Sequence, residues 1–328
     1  MSLLLIATGG TIASKVQPDG GVAVALDGRH LLDSVDGLDA EDVDVLDLFQ
    51  GPSWNLDLDA MSAISRAARE AASSGRGVVI THGTDTLEET AYLTDLVAGQ
   101  ATDRAPIVVT GSMRNAGQSD GDGPQNLRDA FAVARSSEAR GRGALVVAAG
   151  EIHASRWVTK TDSQAVGTFQ SPGHGPVGRV DDGQVLFERG PARVPSAPIG
   201  GRQRVADGPI AIVPSYGDAD AKLIDWHLGR GVRGVVVEGT GAGNVNAALV
   251  PGLEHARDRS IPVVITSRCI TGRVGPIYGG PGGGHSIASL GVIDGGDLSA
   301  RKARLALAVS LALGPDVDVR DRFASLLS

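Results

Sequence analysis

The chain of 328 residues has a single cysteine, four lysines, no long apolar run and no excess of positive charge. With only Cys269, an internal disulfide and a cysteine-built metal site are both excluded, and a reducing cytosol is the expected compartment. Ile265, Thr266 and Ile270 place that cysteine at a strand end, where a buried, inert thiol is expected rather than a nucleophile. A net charge of -8 gives no basic face for phosphate, so a nucleic-acid partner is not expected and a small-molecule ligand is. At the amino end only Leu3 to Ile6 are consecutively apolar, with no basic residues before them. That segment is neither a signal peptide nor a membrane span; it reads as the first strand. Walker A, H-E-x-x-H and G-x-S-x-G motifs are all missing, which removes support for NTP, zinc and α/β-hydrolase chemistry. Gly239 to Asn244 follows a strand, but its third glycine comes one position early for a dinucleotide fingerprint.

What is present is a globular composition, 42% hydrophobic and 21% charged, in a chain long enough for about two domains. Gly 46 and Pro 16 together stay below the roughly 25% that marks low complexity. The organising stretch is Thr81 to Glu89, where the β-branched run Val78 to Ile80 gives way to a helix. Thr86 with Glu89 has capping-box spacing, and Leu87, Tyr92, Leu93 and Leu96 approximate one helical face. Thr84 and Asp85 therefore fall in the turn at the carboxyl end of a strand, the edge at which open α/β sheets bind ligands.

Further strands are expected at Val43 to Leu48, Ile107 to Thr110 and Ala144 to Ala149, with helices from Leu58 to Ala72 and from Pro124. The first strand runs into Thr8 to Ala13, a glycine turn flanked by threonines that suits either hydroxyl chemistry or a phosphate. Ser14 to Gly28 reads as a hairpin or mobile flap, and Val177 to Phe187 as a β-hairpin around Asp182 and Gly183. Ser53 lies in a loop beyond a strand end, as an ordinary turn serine or a site residue. Lys160 stands out because positive charge elsewhere is mostly arginine. Residues 189–208, rich in proline and glycine, form the expected linker between an amino-terminal domain, 1–188, and a smaller carboxyl-terminal one, 209–328. The second repeats the pattern with strands at Ile210 to Val213, Val235 to Val237 and Val263 to Thr266. Helices are expected over Lys222 to Leu228, from Asn244 to Arg259, and finally from Ser299. The fold class expected is α/β, with two doubly wound, mostly parallel sheets.

Five segments resemble the bacterial-type L-asparaginases in order and spacing. They are Ile6 to Ala13 (IATGGTIA), Gly77 to Leu87 (GVVITHGTDTL), Thr110 to Leu127 (TGSMRNAGQSDGDGPQNL), the VTKTD around Lys160 and the VVVEGTGAGN around Asn244. The resemblance implies hydrolysis of L-asparagine, and perhaps L-glutamine, without cofactor or metal, in a homotetramer built from close dimers. It implies Thr11 as the acylated nucleophile, with Thr84, Asp85 and Lys160 as a second catalytic triad. Substrate contacts are implied for Ser53, Trp54, Thr84, Asp85, Ser112 and Asn244, the last reaching a neighbouring subunit. Two of the family's helpers have no counterpart: the flap holds no tyrosine, and the glycine loop at 279 to 284 holds no acid. Lys160 as base and Lys160 as orienting cation both remain open. A partner-dependent amidotransferase subunit would carry an additional amino-terminal domain, which is not expected where the TGGTIA motif begins at Thr8. A non-catalytic amino-acid sensor is the remaining alternative.

Overall fold

The computed structural model describes residues 2–35, 42–190, 205, 208–313 and 317–327. The chain forms two compact units, 1–196 and 197–328, and the expected linker falls almost wholly outside the described residues. The first unit contains strands β1 (Leu3–Gly9), β2 (Ser14–Val16), β3 (Val22–Val24), β4 (Val43–Gly51), β5 (Gly77–Thr81) and β6 (Ile107–Thr110). It continues with β7 (Ala144–Ala148), β8 (Glu151–Ala154), β9 (Thr159–Lys160), β10 (Phe169–Gln170), β11 (Gly178–Asp181) and β12 (Gln184–Phe187). Its helices are α1 (Gly28–Asp33), α2 (Leu58–Ser73), α3 (Leu87–Ala98), α4 (Ala101–Arg104) and α5 (Gly123–Arg135).

Eight of these strands form one sheet in the order β12-β11-β8-β7-β6-β5-β1-β4. The run from β4 to β7 is parallel, and β8, β11 and β12 are added antiparallel at one edge. Leu3, Leu5, Val79, Val108 and Leu145 pack with Leu127, Ala130, Phe131 and Ala134 of α5 in one core. The alternate residues Leu4, Ile6, Val78, Ile80, Ile107 and Val109 are buried as well, on the face that α2 and α3 contact. Burial on both faces is why these strands read as continuous apolar runs. From β1 the chain passes to β4 on one side and returns to β5 on the other, which opens a crevice at the carboxyl end of β1.

The second unit is a four-stranded parallel sheet, β13 (Ile210–Pro214), β14 (Gly234–Gly239), β15 (Val263–Ser267) and β16 (Ile293–Asp294), paired in that order. Helices α6 (Lys222–Leu228), α7 (Val250–Asp258), α8 (Gly284–Ala288), α9 (Ala300–Ala312) and α10 (Val319–Ser325) accompany it. Two α/β units with mainly parallel sheets, the amino-terminal one larger, is the architecture expected from sequence.

Several local readings are corrected. All twelve residues of α3 are buried, not one face. The Thr86 hydroxyl does not cap that helix; it donates to the Ser53 carbonyl at 2.8 Å. The helix expected directly after Asn244 is delayed to Val250, behind a short turn capped by Asn246. Helix α9 begins after Ser299 as expected, but α10 follows it. The glycine loop is exposed at Gly279 and Gly280 but closely packed at Gly282, where a Cβ would stand 2.2 Å from the Val245 carbonyl oxygen. Cys269 is exposed, because β15 ends at Ser267 and the chain leaves the sheet before reaching it.

Candidate active site

Three strand ends are locked together by glycine. A Cβ at Gly10, where φ is 81°, would meet the Gly83 Cα at 2.3 Å. One at Gly9 would meet the Gly51 carbonyl oxygen at 2.6 Å, and the Gly10 N–H donates to that same oxygen at 3.1 Å. Only glycine allows this approach of the turns after β1, β4 and β5. Gly10→Ala is expected to destabilise the fold by roughly 2–4 kcal/mol, through backbone overlap and a left-handed φ. A lowered urea midpoint with an unchanged m-value would show it.

Above those turns lies a cavity of about 580 Å³, whose lining includes Thr11, Ser53, Trp54, Thr84 and Asp85. Ser53 is buried in its floor and Trp54 is an exposed rim residue. Val22, Ala23 and Val24 cover one side, from the β2–β3 hairpin that was expected as a flap. Lys160 lies just behind. Its ammonium donates to Thr84 Oγ1 at 2.8 Å and to Asp85 Oδ1 at 2.7 Å. The backbone N–H of Lys160 donates to Glu88 Oε2 at 2.7 Å, so the first turn of α3 fixes β9. Among the described residues the Thr11 hydroxyl has no hydrogen-bond partner, whereas Thr84 Oγ1 already accepts from Lys160.

Two substrate-binding expectations fall elsewhere. Ser112 is buried and donates its hydroxyl to the Arg114 carbonyl at 2.7 Å; it lines a neighbouring cavity, not the one containing Thr11. Asn244 belongs to the second unit, where its Oδ1 accepts from the Gly284 N–H at 3.0 Å. Conversely, Gln50, Met113, Asn115 and Gln118 line the cavity without having been singled out. Asn115 and Gln118 lie in the Thr110 to Leu127 segment, but in an irregular loop whose sequence has no period to reveal them. No group of side chains suited to holding a metal ion occurs among the described residues.

His82, inside the central motif, is fully buried, and its Nδ1 lies 2.7 Å from the Gly83 carbonyl oxygen. Burial pushes its pKa from 6.5 down to about 4, which the bond to Gly83 opposes only in part. The unfolded chain takes up this proton near pH 6.5 and the folded one only near 4. His82 therefore favours the fold fully above pH 6.5, and the contribution is lost as pH falls to 4. The size of the loss is about 3 kcal/mol. Urea midpoints across that window should fall in the native protein and fall less in His82→Leu.

Hydroxyl, ammonium and carboxylate groups gathered at the carboxyl edge of a doubly wound sheet define the candidate site of an α/β enzyme. Residues 2–193 match the family described as "Asparaginase, N-terminal" and residues 209–323 the one described as "Glutaminase/Asparaginase C-terminal domain". The chain belongs to the bacterial-type L-asparaginase family. It is 34% identical to an L-asparaginase of Bacillus licheniformis, over 97% of this chain and 98% of that one. It is 32% identical to a probable periplasmic L-asparaginase of Haemophilus influenzae, over 98% and 92%. A crystal structure of a probable cytoplasmic L-asparaginase from Campylobacter jejuni superposes with a TM-score of 0.85 at 27% identity, covering 99% of both chains. No helix among the described residues is long and apolar enough to cross a membrane.

Proposed function

We propose that this protein hydrolyses L-asparagine to L-aspartate and ammonia through an ester on Thr11. The observation that carries the reading is the single cavity lined both by Thr11, whose hydroxyl has no partner among the described residues, and by Thr84, whose hydroxyl accepts from a Lys160 ammonium that also pairs with Asp85. Family membership supports the substrate. In the first half-reaction the Thr11 oxygen bonds to the side-chain amide carbon and the C–N bond breaks. The hydroxyl proton reaches the departing nitrogen, and ammonia leaves. In the second, water adds to the ester, aspartate leaves and Thr11 regains its proton. A threonine hydroxyl attacks only when its proton is accepted, an effect of about 10²- to 10⁴-fold. The flap lines the cavity with Val22, Ala23 and Val24 and with Ser14, whose hydroxyl is committed to the Gly10 carbonyl at 2.8 Å, so the acceptor is the Thr84 and Lys160 pair or a water they hold. Because Lys160 donates to Thr84 Oγ1, the proton of Thr84 is free to point into the cavity.

In this reading Asp85 receives the substrate α-ammonium and Ser53 its α-carboxylate, with Trp54 at the rim. Ser112 would act through its loop, since its hydroxyl is engaged. We extend the reading to glutamine as a second substrate, to a cytoplasmic homotetramer, to a boundary within residues 189–208, and to Asn244 acting at a neighbouring subunit's site. Light scattering on the purified protein is expected to give four chains, and Asn244→Ala to raise KM for asparagine without changing that mass.

Ammonia release from purified protein with asparagine, and separately with glutamine, tests the main claim. Release from asparagine without any added partner supports it. No release from either amide would defeat it and favour a sensor or a partner-dependent enzyme.

A further inference from the structure

Asp122 stands just before α5, where an aspartate ordinarily accepts from the first turn of its own helix. Here it makes no such capping bond. Its carboxylate turns back instead onto the loop that joins β6 to α5. Oδ2 accepts from the Met113 N–H at 3.0 Å and Oδ1 from the Arg114 N–H at 2.9 Å. The helix start is thus left without its side-chain cap, while two adjacent main-chain donors of the loop gain an acceptor.

Asn126, buried in α5, braces that carboxylate. Its amide donates to Asp122 Oδ2 at 3.1 Å and to the Gly111 carbonyl at 2.9 Å, and its oxygen accepts from the Ala149 N–H at 2.9 Å. These partners fix which way the amide points and tie the chain just beyond β6 and β7 to the helix. The helix start is itself seated on the neighbour of Thr11: a Cβ at Gly123 would stand 3.0 Å from Ile12.

What the carboxylate holds is a wall of the cavity. Met113, Asn115 and Gln118 line it, and the Ala116 N–H donates to the Ser14 carbonyl at 3.0 Å, at the foot of the flap. Residues 116–120 are exposed. An exposed stretch has little packing of its own, so the bonds at its ends set where it lies.

We propose that Asp122 is a positioning residue that sets chain-length preference: by holding the 113–118 wall, it fits the cavity to the side chain of asparagine rather than that of glutamine. This rests on the hydrolytic reading. The two amides differ by one methylene, which a fitted pocket converts into about 10- to 200-fold in kcat/KM. A wall free to shift by about 1 Å loses that discrimination. Misplacement on this scale costs on the order of 10²-fold for the substrate that fitted, and the substrate that did not fit has less to lose.

The test compares Asp122→Ala, Asp122→Ser and Asp122→Asn in the full chain. Serine and asparagine cap helices about as well as aspartate, but serine is too short to reach the Met113 and Arg114 donors, and asparagine offers them one oxygen. The Ala and Ser variants are expected to lose on the order of 10²-fold in kcat/KM for asparagine and less than about tenfold for glutamine, with the Asn variant between them and wild type. Inhibition by L-aspartate and by L-glutamate, each measured against asparagine, should converge in the same order. That comparison stays readable where glutamine turnover is too slow to follow. An unchanged preference in the Ala and Ser variants, including an equal loss on both amides, would overturn the proposal. So would a native Ser variant beside a defective Ala variant, which would make Asp122 a helix cap only. If the Ala variant does not fold, Ser against Asn decides. A wild-type protein that releases no ammonia from either amide defeats the hydrolytic reading itself, which is a different result from an active wild type whose variants keep its preference.

Discussion

Thr11→Val should abolish ammonia release from asparagine, with kcat lower by on the order of 10⁴-fold or more, because the nucleophile is gone and only binding and oxyanion donors remain. The near-isosteric methyl keeps the shape of the turn, so the thermal midpoint is expected to stay close to that of the native protein. The cavity contains two threonines at strand ends, and the loss of activity alone does not assign the ester to either. Trapping with a slowly hydrolysed asparagine analogue, followed by peptide mass spectrometry, does. Label on the peptide carrying Thr11 is expected, since Thr84 Oγ1 is already engaged by Lys160 at 2.8 Å. Label on Thr84 with none on Thr11 would reverse the roles of the two residues.

Lys160→Met is expected to cost about 10²- to 10⁴-fold in turnover, the range of a lost proton-transfer partner. The variant leaves the Thr84 hydroxyl without its donor and Asp85 without its counter-ion. Asp85 is 47% exposed, so the ion pair adds about 1 kcal/mol or less to stability, and the fold should survive the change. Rapid-quench measurement of the first ammonia released separates the two half-reactions. Loss of that first turnover means that the Thr84 and Lys160 pair takes the proton of Thr11. A full first turnover followed by a stall would confine the pair to ester hydrolysis, and the acceptor for Thr11 would then lie elsewhere.

Strands were legible because a sheet covered on both faces must be written in β-branched runs such as Val78 to Ile80. The turn bearing Thr84 and Asp85 was legible because it follows such a run and precedes a helix. Features decided by distant partners were not. Thr86 and Glu89 have capping-box spacing, yet the hydroxyl of Thr86 finds the Ser53 carbonyl, 33 positions away. Helix α3 looks amphipathic in sequence and is buried on every side, because neighbouring elements cover the side that local pattern would leave to solvent. Ser112 was legible as part of a motif, but the direction of its side chain depends on the conformation of its own loop. Asn115 and Gln118 carry no periodic signal, and only the folded loop shows that they line the cavity. Cys269 was misjudged from apolar neighbours in the sequence, although it lies past the last residue of its strand. His82 sat in plain view within the motif, where nothing local marks a side chain that bonds to the next residue's carbonyl.

The backbone contact between Gly10 and Gly83 also bears on how this protein can be re-engineered. Two turns whose main chains touch with no side chain between them behave as one rigid body, so the two hydroxyl-bearing turns have little freedom to drift apart in adapting to a longer or shorter amide. Libraries aimed at altered substrate range are therefore best concentrated on the walls, at Val22, Val24, Met113, Asn115 and Gln118, which line the same space from separate loops. Diversity introduced at the glycine floor would lower stability, as expected for Gly10→Ala, without reshaping the walls that meet the substrate.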